Sequence, residues 1–409
     1  MPLDVTTEHV ERFLRERRGE LVEFARELVA APSPNPPGDE RAVAVLVADR
    51  LGELGVGGVR IVGPEPERAN VLAAVPGRDG GPTLILNGHL DTKPPGEAAD
   101  WRTPPWDPVV SDGTLFGLGS ADMKGAVAAM VYAAGAMAAA GAAGTLALAF
   151  TADEEAGGFS GARWLADEGL LAADAAVIGE PCGVARDWEA IRLVSRGSFL
   201  FTVRVRGTQM HSSLSDQLPS VNANVLMARL MARMDRERGS ILEYEPHPLV
   251  PRGPTVNVGL VVSGGIGYGI LSGEGEFLSD VRALPGMTRG RIEADLRAFL
   301  DRVRADEPAL DVELTVTHWT PPSEISASHP IVSALADASA AVLGAPAPLA
   351  AFSGGTDAPF FQLAGIPTVP SFGPGLLPAA HSPNESIPVE SIVQAARIYA
   401  LAAVRYFDA

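Results

Sequence analysis

The first part of the chain alternates helical stretches with short runs of apolar residues. Residues 7–30 carry apolar positions at helical spacing, and four prolines between residues 32 and 37 end that pattern. The apolar runs that follow contain no alternating polar positions, which is typical of strands buried on both faces of a parallel sheet. These runs occupy residues 83–86, 146–150, 175–178 and 367–369.

The middle of the chain has a different pattern. Apolar and polar residues alternate along four segments, and two segments with helical spacing lie between them. The resulting order is β-α-β-β-α-β, which is the order of a ferredoxin-like domain. The strands are predicted at residues 199–205, 255–262, 276–283 and 310–316, and the helices at residues 221–234 and 292–303.

These two patterns predict an α/β protein with two domains. The larger domain, residues 1–190 and 319–409, is expected to contain a central, mostly parallel sheet. The smaller, an α+β domain of residues 191–318, is expected to be inserted into it. A chain of 409 residues is long enough to bury two hydrophobic cores.

Residues 126–143 form an uncharged run about long enough to cross a bilayer. Most of these residues are alanine and glycine, whose transfer from water releases little free energy, and polar motifs lie on both sides of the run. We therefore predict a helix buried inside the protein rather than a membrane span.

The charge and the cysteine usage exclude several classes of function. The formal net charge is −18, so the chain would repel nucleic acid and anionic lipid surfaces, and we predict neither as a partner. Cys182 is the only cysteine, so the chain cannot form an internal disulfide. Charged residues interrupt any apolar run near the N-terminus, unlike a signal peptide. We expect a cytoplasmic protein.

Side chains that bind metal ions follow the apolar runs at residues 83–86, 146–150 and 175–178 of the larger domain. Ligands of open α/β sheets bind beyond the carboxyl ends of the strands, so these side chains should converge. Imidazole and carboxylate ligands without thiolate favour Zn, Co or Mn, and several carboxylates with few histidines favour a pair of ions. The candidates are His89, Asp91, Glu154, Glu155 and Glu180, and Asp122 and His381 in turn-rich segments complete the set.

Glu154 and Glu155 are neighbours and are expected to have different roles. Successive side chains at the end of a strand point to different sides, so one carboxylate can bind a metal ion while the other takes a proton from water.

Five motifs of the sequence resemble, in order, the metal-site motifs of the M20 metallopeptidases. The likeness covers nearly the whole chain and is strongest to the branch with acetylornithine deacetylase and succinyl-diaminopimelate desuccinylase. It implies a zinc-peptidase-like catalytic domain and an inserted lid and dimerisation domain. The motifs are His89-Leu90-Asp91, Ser120-Ala121-Asp122-Met123-Lys124-Gly125, Asp153-Glu154-Glu155, Gly179-Glu180-Pro181 and His381-Ser382-Pro383-Asn384-Glu385.

The resemblance also implies a role for each site residue. Asp122 would bridge two divalent ions, with zinc as the expected metal. His89 and Glu180 would complete the ligands of one ion, and Glu155 and His381 those of the other. Asp91 would fix the tautomer of His89, and Glu154 would be the general base. The peptide bond between Asp122 and Met123 would be cis.

Residues of the inserted domain resemble the family's substrate-binding positions. His211 would stabilise the oxyanion in the active site of a partner subunit, which implies a homodimer formed through this domain. Asn257 and Arg282 would hold the substrate carboxylate, although Arg282 could instead pair with Asp280 on the same strand. In the larger domain, Gly355 and Thr356 would line the substrate.

Two residues depart from the family pattern and bear on the substrate. Met210 stands where alanine is usual before the histidine, and Lys93 stands where relatives mostly carry an apolar residue. Neither change removes a metal ligand.

The predicted function is hydrolysis of an amide bond in an N-acylated amino acid or a related small metabolite, by a metal-bound water that Glu154 activates. Two alternatives stay open. An exopeptidase, either a carboxypeptidase or a dipeptidase, would use the same site. A non-catalytic binding protein stabilised by metal would keep the ligands but would have no use for Glu154.

Overall fold

The computed structural model describes residues 5–78, 80–141 and 143–409. These residues form two compact units. The first contains the described residues up to 195 together with residues 324–352 and 356–409, and the second contains residues 196–323 and 353–355. The division falls about five residues from the predicted domain bounds, and residues 353–355 were expected in the larger domain.

The helices of the described residues are α1 (Val5–Glu16), α2 (Arg18–Ala30), α3 (Arg41–Glu53), α4 (Gly125–Ala140), α5 (Ala162–Asp167), α6 (Ala223–Glu237), α7 (Arg289–Asp306), α8 (Pro330–Leu343), α9 (Ala358–Leu363) and α10 (Val389–Phe407). The strands are β1 (Arg60–Val62), β2 (Asn70–Val75), β3 (Thr83–His89), β4 (Val109–Ser111), β5 (Thr114–Phe116), β6 (Thr145–Thr151), β7 (Ala175–Ile178), β8 (Pro181–Gly183), β9 (Ile191–Ser195), β10 (Gly197–Arg206), β11 (Met210–His211), β12 (Thr255–Gly264), β13 (Ile270–Leu271), β14 (Glu274–Ala283), β15 (Asp311–Thr320), β16 (Ser323–Glu324), β17 (Leu349–Phe352), β18 (Thr368–Val369), β19 (Gly373–Leu376) and β20 (Ser386–Pro388).

The core of the first unit is a six-stranded sheet with the order β1-β2-β6-β3-β7-β18. Strands β6, β3, β7 and β18 run parallel to one another, and β2 runs antiparallel to both β1 and β6. The prediction of a mostly parallel sheet is confirmed. The four apolar runs are its central and edge strands because they bury apolar side chains on both faces.

The register of this sheet brings three chain segments together. His89 lies opposite Thr151, and Asn87 lies opposite Ile178. Strands β3, β6 and β7 therefore end at the same edge. Two backbone hydrogen bonds extend this pairing beyond the strands, from Leu90 N to Thr151 O at 2.7 Å and from Gly179 N to Asn87 O at 2.9 Å.

Helix α4 is the predicted buried helix, and it packs against α1, α2 and α10 of the first unit. Together with the preceding turn, residues 120–140 are long and apolar enough to cross a membrane, but 83% of the most apolar window is buried inside the protein. Helix α4 ends at Gly141, which has a φ of 67° and donates its N–H to Met137 O. Ala142, within the predicted run, lies outside the described residues.

The second unit contains the predicted β-α-β-β-α-β order, formed by β10, α6, β12, β14, α7 and β15. Its four strands form an antiparallel sheet with the order β12-β14-β10-β15. Alternation along β10 buries Phe199, Phe201, Val203 and Val205, which explains why the strand could be predicted from its pattern. Strand β12 lies at one edge of this sheet.

Candidate metal centre

The carboxyl ends of three parallel strands position most of the candidate ligands. His89 is the last residue of β3, and Glu180 follows β7 after one glycine. Glu154 and Glu155 lie in a short 3-10 turn after β6. Asp153, the residue before this turn, is in the left-handed conformation with a φ of 64°. These side chains meet because their strands end at one edge of the sheet.

Asp122 comes from an irregular helical turn just before α4. Its φ and ψ of −126° and 90° are not helical, and the peptide bond to Met123 is cis, as the resemblance implied. The buried Glu385 carboxylate accepts hydrogen bonds from the N–H groups of Gly119, Ala121 and Asp122 at 2.8–3.0 Å. Glu385 thereby fixes the backbone on which Asp122 is carried.

Asp122 lies between the two predicted histidine ligands. Its Oδ1 is 2.9 Å from His89 Nε2, and its Oδ2 is 3.2 Å from His381 Nε2. Glu180 Oε1 lies 3.5 Å from His89 Nε2, and Glu155 Oε1 lies 3.1 Å from His381 Nε2. The five predicted ligands are therefore gathered in one cluster, with Asp122 in the shared position.

Two groups of side chains place their ligand atoms within 4.8 Å of one another. The first contains His89, Asp122 and Glu155, and the second contains His89, Glu154 and Glu180. Glu154, predicted to be a base, thus lies close enough to bind an ion itself. Metal analysis of Glu154 variants can separate these two roles.

The charges of the cluster fit a divalent cation. Burial opposes protonation of His89, but hydrogen bonds to Asp122 and Asp91 outweigh it and raise its pKa well above the usual value. Hydrogen bonds to Asp122 and Glu155 raise the pKa of His381 to about 10. Burial also raises the pKa of Glu154 and of Glu180 well above the usual value, aided by neighbouring carboxylates. The site concentrates negative charge that bound cations would compensate.

Asp91 has two functions in this geometry. Its backbone oxygen lies 2.9 Å from His89 Nδ1, while its carboxylate lies farther, at 3.5 Å. The carboxylate accepts hydrogen bonds from the N–H groups of Glu154 and Glu155 at 3.2 and 3.1 Å. Asp91 therefore orients the imidazole mainly through its backbone, and its side chain holds the turn that carries the two glutamates.

The loop before α9 contains the two predicted substrate-lining residues. Gly355 belongs to the second unit and is exposed, whereas Thr356 belongs to the first and is buried. Thr356 Oγ1 accepts a hydrogen bond from Ala358 N at 3.1 Å, so this side chain also stabilises the start of α9. The next residue, Asp357, is buried and accepts from Thr151 Oγ1 at 2.7 Å.

The remaining predicted site residues belong to the second unit. His211 is exposed, and its Nδ1 lies 2.8 Å from Ser213 Oγ. Arg282 pairs with Asp280 at 3.0 Å, as the alternative interpretation expected, and Asn257 donates to the same carboxylate at 2.6 Å. Asn257 and Arg282 are therefore brought together by Asp280 on neighbouring strands.

The sequence model of peptidase family M20/M25/M40 matches residues 85–405, which is more than half of the chain. The chain belongs to this family. The match confirms the resemblance predicted from the five motifs and includes all of the predicted metal ligands.

Curated relatives of the chain include succinyl-diaminopimelate desuccinylases of Xanthomonas species. The protein of Xanthomonas oryzae pv. oryzae is 36% identical over 235 residues, which are 56% of this chain and 60% of the relative. The protein of Xanthomonas euvesicatoria pv. vesicatoria is 32% identical over 295 residues, 70% of this chain and 74% of the relative. The chain thus covers less than two thirds of the first relative and more of the second.

Several solved structures share the fold of this chain at low sequence identity. The dipeptidase Dug1p of Saccharomyces cerevisiae has a TM-score of 0.76 at 15% identity, with both chains covered fully. A dinuclear metal-binding M20 peptidase of Bacillus subtilis has a TM-score of 0.70 at 18% identity, covering 96% of this chain and 99% of that one. The α/β peptidase fold is therefore shown.

The sequence did not predict the residues that hold the site through hydrogen bonds to Asp91 and Asp153. Asn35 donates to Asp91 at 2.9 Å and to Asp153 at 3.0 Å, so it ties the two segments together. Arg68 in turn donates to Asn35 at 3.4 Å and to Glu40 at 3.0 Å. The only signal for Asn35 was its place in the proline-rich segment of residues 32–37, and Arg68 has no motif around it.

Proposed function

We propose that this protein is a di-metal amide hydrolase of the deacylase type. The observation that carries the proposal is the cluster in which Asp122 lies between His89 and His381, with Glu154 beside the ligands. His89, Asp122 and Glu180 would hold one divalent ion, and Asp122, Glu155 and His381 the other. Zinc suits this set of imidazole and carboxylate ligands, and Co or Mn are the alternatives.

Bound divalent ions would supply polarisation of the substrate carbonyl and a lowered pKa of water in the site. Glu154 takes a proton from the attacking water and delivers it to the leaving nitrogen. The hydrogen bonds from Glu154 N and Glu155 N to Asp91 hold the base in place during both transfers. His211 would stabilise the oxyanion, and Asn257, Arg282, Gly355 and Thr356 would bind the substrate.

The proposed substrates are small N-acylated amino acids, of the kind that the desuccinylase relatives are named for. An exopeptidase would use the same ligands and the same base. Because a dipeptidase has this fold, an exopeptidase is the second candidate function. A buried single cysteine requires no oxidising compartment, which supports the cytoplasm as the proposed location.

A hydrolysis panel tests this proposal. Purified protein loaded with Zn²⁺ is assayed with N-acetyl, N-succinyl and N-glutamyl amino acids and with dipeptides, and kcat/KM is compared. We expect the acylated amino acids to be hydrolysed faster than the dipeptides. A preference for dipeptides would identify an exopeptidase, and binding of two ions without any hydrolysis would favour the non-catalytic alternative.

We further propose that the second unit forms a homodimer through β12. This strand is at the sheet edge, where its backbone groups can pair with another strand, and Leu260, Val261 and Val262 are 55%, 59% and 50% exposed. Ile266 in the following hairpin is 70% exposed. Apolar residues on an unpaired edge fit a second copy of the same strand.

Substitution of Val261 by lysine is expected to convert the dimer to a monomer, because a charge on an edge strand opposes pairing. Light scattering coupled to size-exclusion chromatography measures the mass. Leu363→Lys is the matched control, since Leu363 is 64% exposed at the end of α9 and should leave the mass unchanged. If the wild-type protein is a monomer, or Val261→Lys remains a dimer, this interface is wrong.

A further inference from the structure

Lys93 contacts a predicted metal ligand and has no role in the function proposed above. Its Nζ lies 3.2 Å from Glu155 Oε2, and it also donates a hydrogen bond to the backbone oxygen of Glu155. The Glu155 side chain is only 4% exposed, whereas the Lys93 side chain is 35% exposed. The lysine therefore reaches from the surface to a buried carboxylate.

The use of lysine at this position is unusual for this chain. Its 32 basic residues comprise 30 arginines and two lysines, Lys93 and Lys124. Lys93 follows the His89-Leu90-Asp91 motif by two positions, and Lys124 lies within the motif that contains Asp122. A lysine presents a compact point charge on a flexible stem, whereas an arginine presents a planar fork that binds both oxygens of a carboxylate. Lysine can occupy one oxygen of Glu155 and leave the other accessible.

The two oxygens of Glu155 face different partners. Oε1 lies 3.1 Å from His381 Nε2, within the cluster, and Oε2 lies 3.2 Å from Lys93 Nζ. Among the described residues, Glu180 forms an ion pair with His89, and no lysine or arginine pairs with it. The ligands of the two proposed ions thus differ in the positive charge beside them.

We propose that Lys93 weakens the binding of the ion held by Glu155 and His381. Lys93 restricts Glu155 to one ligating oxygen and places a fixed positive charge next to the cation. This inference rests on the proposed di-metal function. It predicts that a neutral residue at position 93 tightens this ion, the weaker of the two, and leaves the ion held by His89 and Glu180 unchanged.

The test is a calorimetric titration of metal-free protein with Zn²⁺, with a competing chelator for the tighter step. Partners of metal ligands typically change metal affinity about 10–100-fold. We expect two steps in the wild type and, in Lys93→Met, a second step that is about tenfold tighter with an unchanged first step. Lys93→Arg should keep the second step weak because it retains the charge.

Arg397→Met is the matched control. Arg397 is 31% exposed and pairs with Glu11 at 2.8 Å, so its loss also removes a partly buried cation from a glutamate of the first unit. It should change neither step. Circular dichroism of each metal-free variant checks folding, and Lys93→Gln provides a second neutral variant.

The outcomes separate this inference from the proposed function. Two bound Zn²⁺ ions in the wild type with Glu154-dependent hydrolysis support the function, whatever Lys93 variants do. A second step that is unchanged or weaker in both neutral variants would overturn the inference alone. Binding of fewer than two ions by the wild type would overturn both.

Discussion

Replacement of Glu154 by glutamine is expected to lower kcat about 10³-fold while both metal ions remain bound, because a positioned acid or base contributes about 10²–10⁴-fold. Glutamine has nearly the shape of glutamate but cannot accept the proton of the attacking water. The backbone N–H of residue 154 would still donate to Asp91, so the turn should keep its conformation. The variant therefore removes the proton acceptor without changing the conformation of the site.

The matched variant is Glu155→Gln, the same change one residue later. We expect it to lose the ion at the Glu155 and His381 position, since Glu155 Oε1 faces His381 at 3.1 Å. Metal content by mass spectrometry of the dialysed proteins, together with kcat, distinguishes the two residues. Loss of one ion from Glu154→Gln would instead make Glu154 a ligand, which its position beside His89 and Glu180 permits.

The sheet could be predicted from sequence because its strands are continuous apolar runs. Its ends could not, as β3 shows: the run ends at Leu86, but the strand continues to His89. Asn87 remains in the strand because its buried side chain donates to Ala149 O at 2.7 Å on the neighbouring strand. A polar residue satisfied by a distant partner resembles a loop residue in the sequence.

The metal ligands could be predicted because each lies in a motif that carries its own signal. The residues behind them could not, since their roles depend on contacts far apart in the chain. Arg68 acts on Asn35, 33 positions away, and Asn35 acts on Asp153, 118 positions away. Glu385 is an intermediate case, because its motif was recognised for His381 and its contact with the Asp122 backbone emerged only in three dimensions.

The inserted unit illustrates a different limit. Its strand and helix order follows from periodicity, whereas the partners of its polar residues do not. Arg282 was assigned to a substrate carboxylate, and in the structure it lies 3.0 Å from the Asp280 carboxylate, which also accepts from Asn257. A substrate carboxylate would have to share Arg282 with Asp280. The Arg282–Asp280 ion pair therefore limits how many N–H groups of the guanidinium can bind the substrate.

Replacement of Asp122 by asparagine is expected to abolish binding of both ions and to reduce activity at least about 10³-fold, since the bridging charge of a two-ion site is removed. The two carboxylate oxygens of Asp122 lie 2.9 Å from His89 Nε2 and 3.2 Å from His381 Nε2. No other described carboxylate is within ion-pair distance of both imidazoles. Asparagine keeps the shape but supplies only one neutral oxygen.

Thermal unfolding with and without Zn²⁺ measures this loss independently of catalysis. An ion present at 100 times its Kd stabilises the folded state by about 2.7 kcal/mol, so the wild-type Tm should rise on addition of metal. The rise should disappear in Asp122→Asn and persist in part in Glu180→Gln, which removes a ligand of one ion only. If Asp122→Asn retained one ion with wild-type affinity, Asp122 would not be shared. The distinction matters because a shared carboxylate couples the two positions. Each bound ion then neutralises part of the negative charge that attracts the other ion.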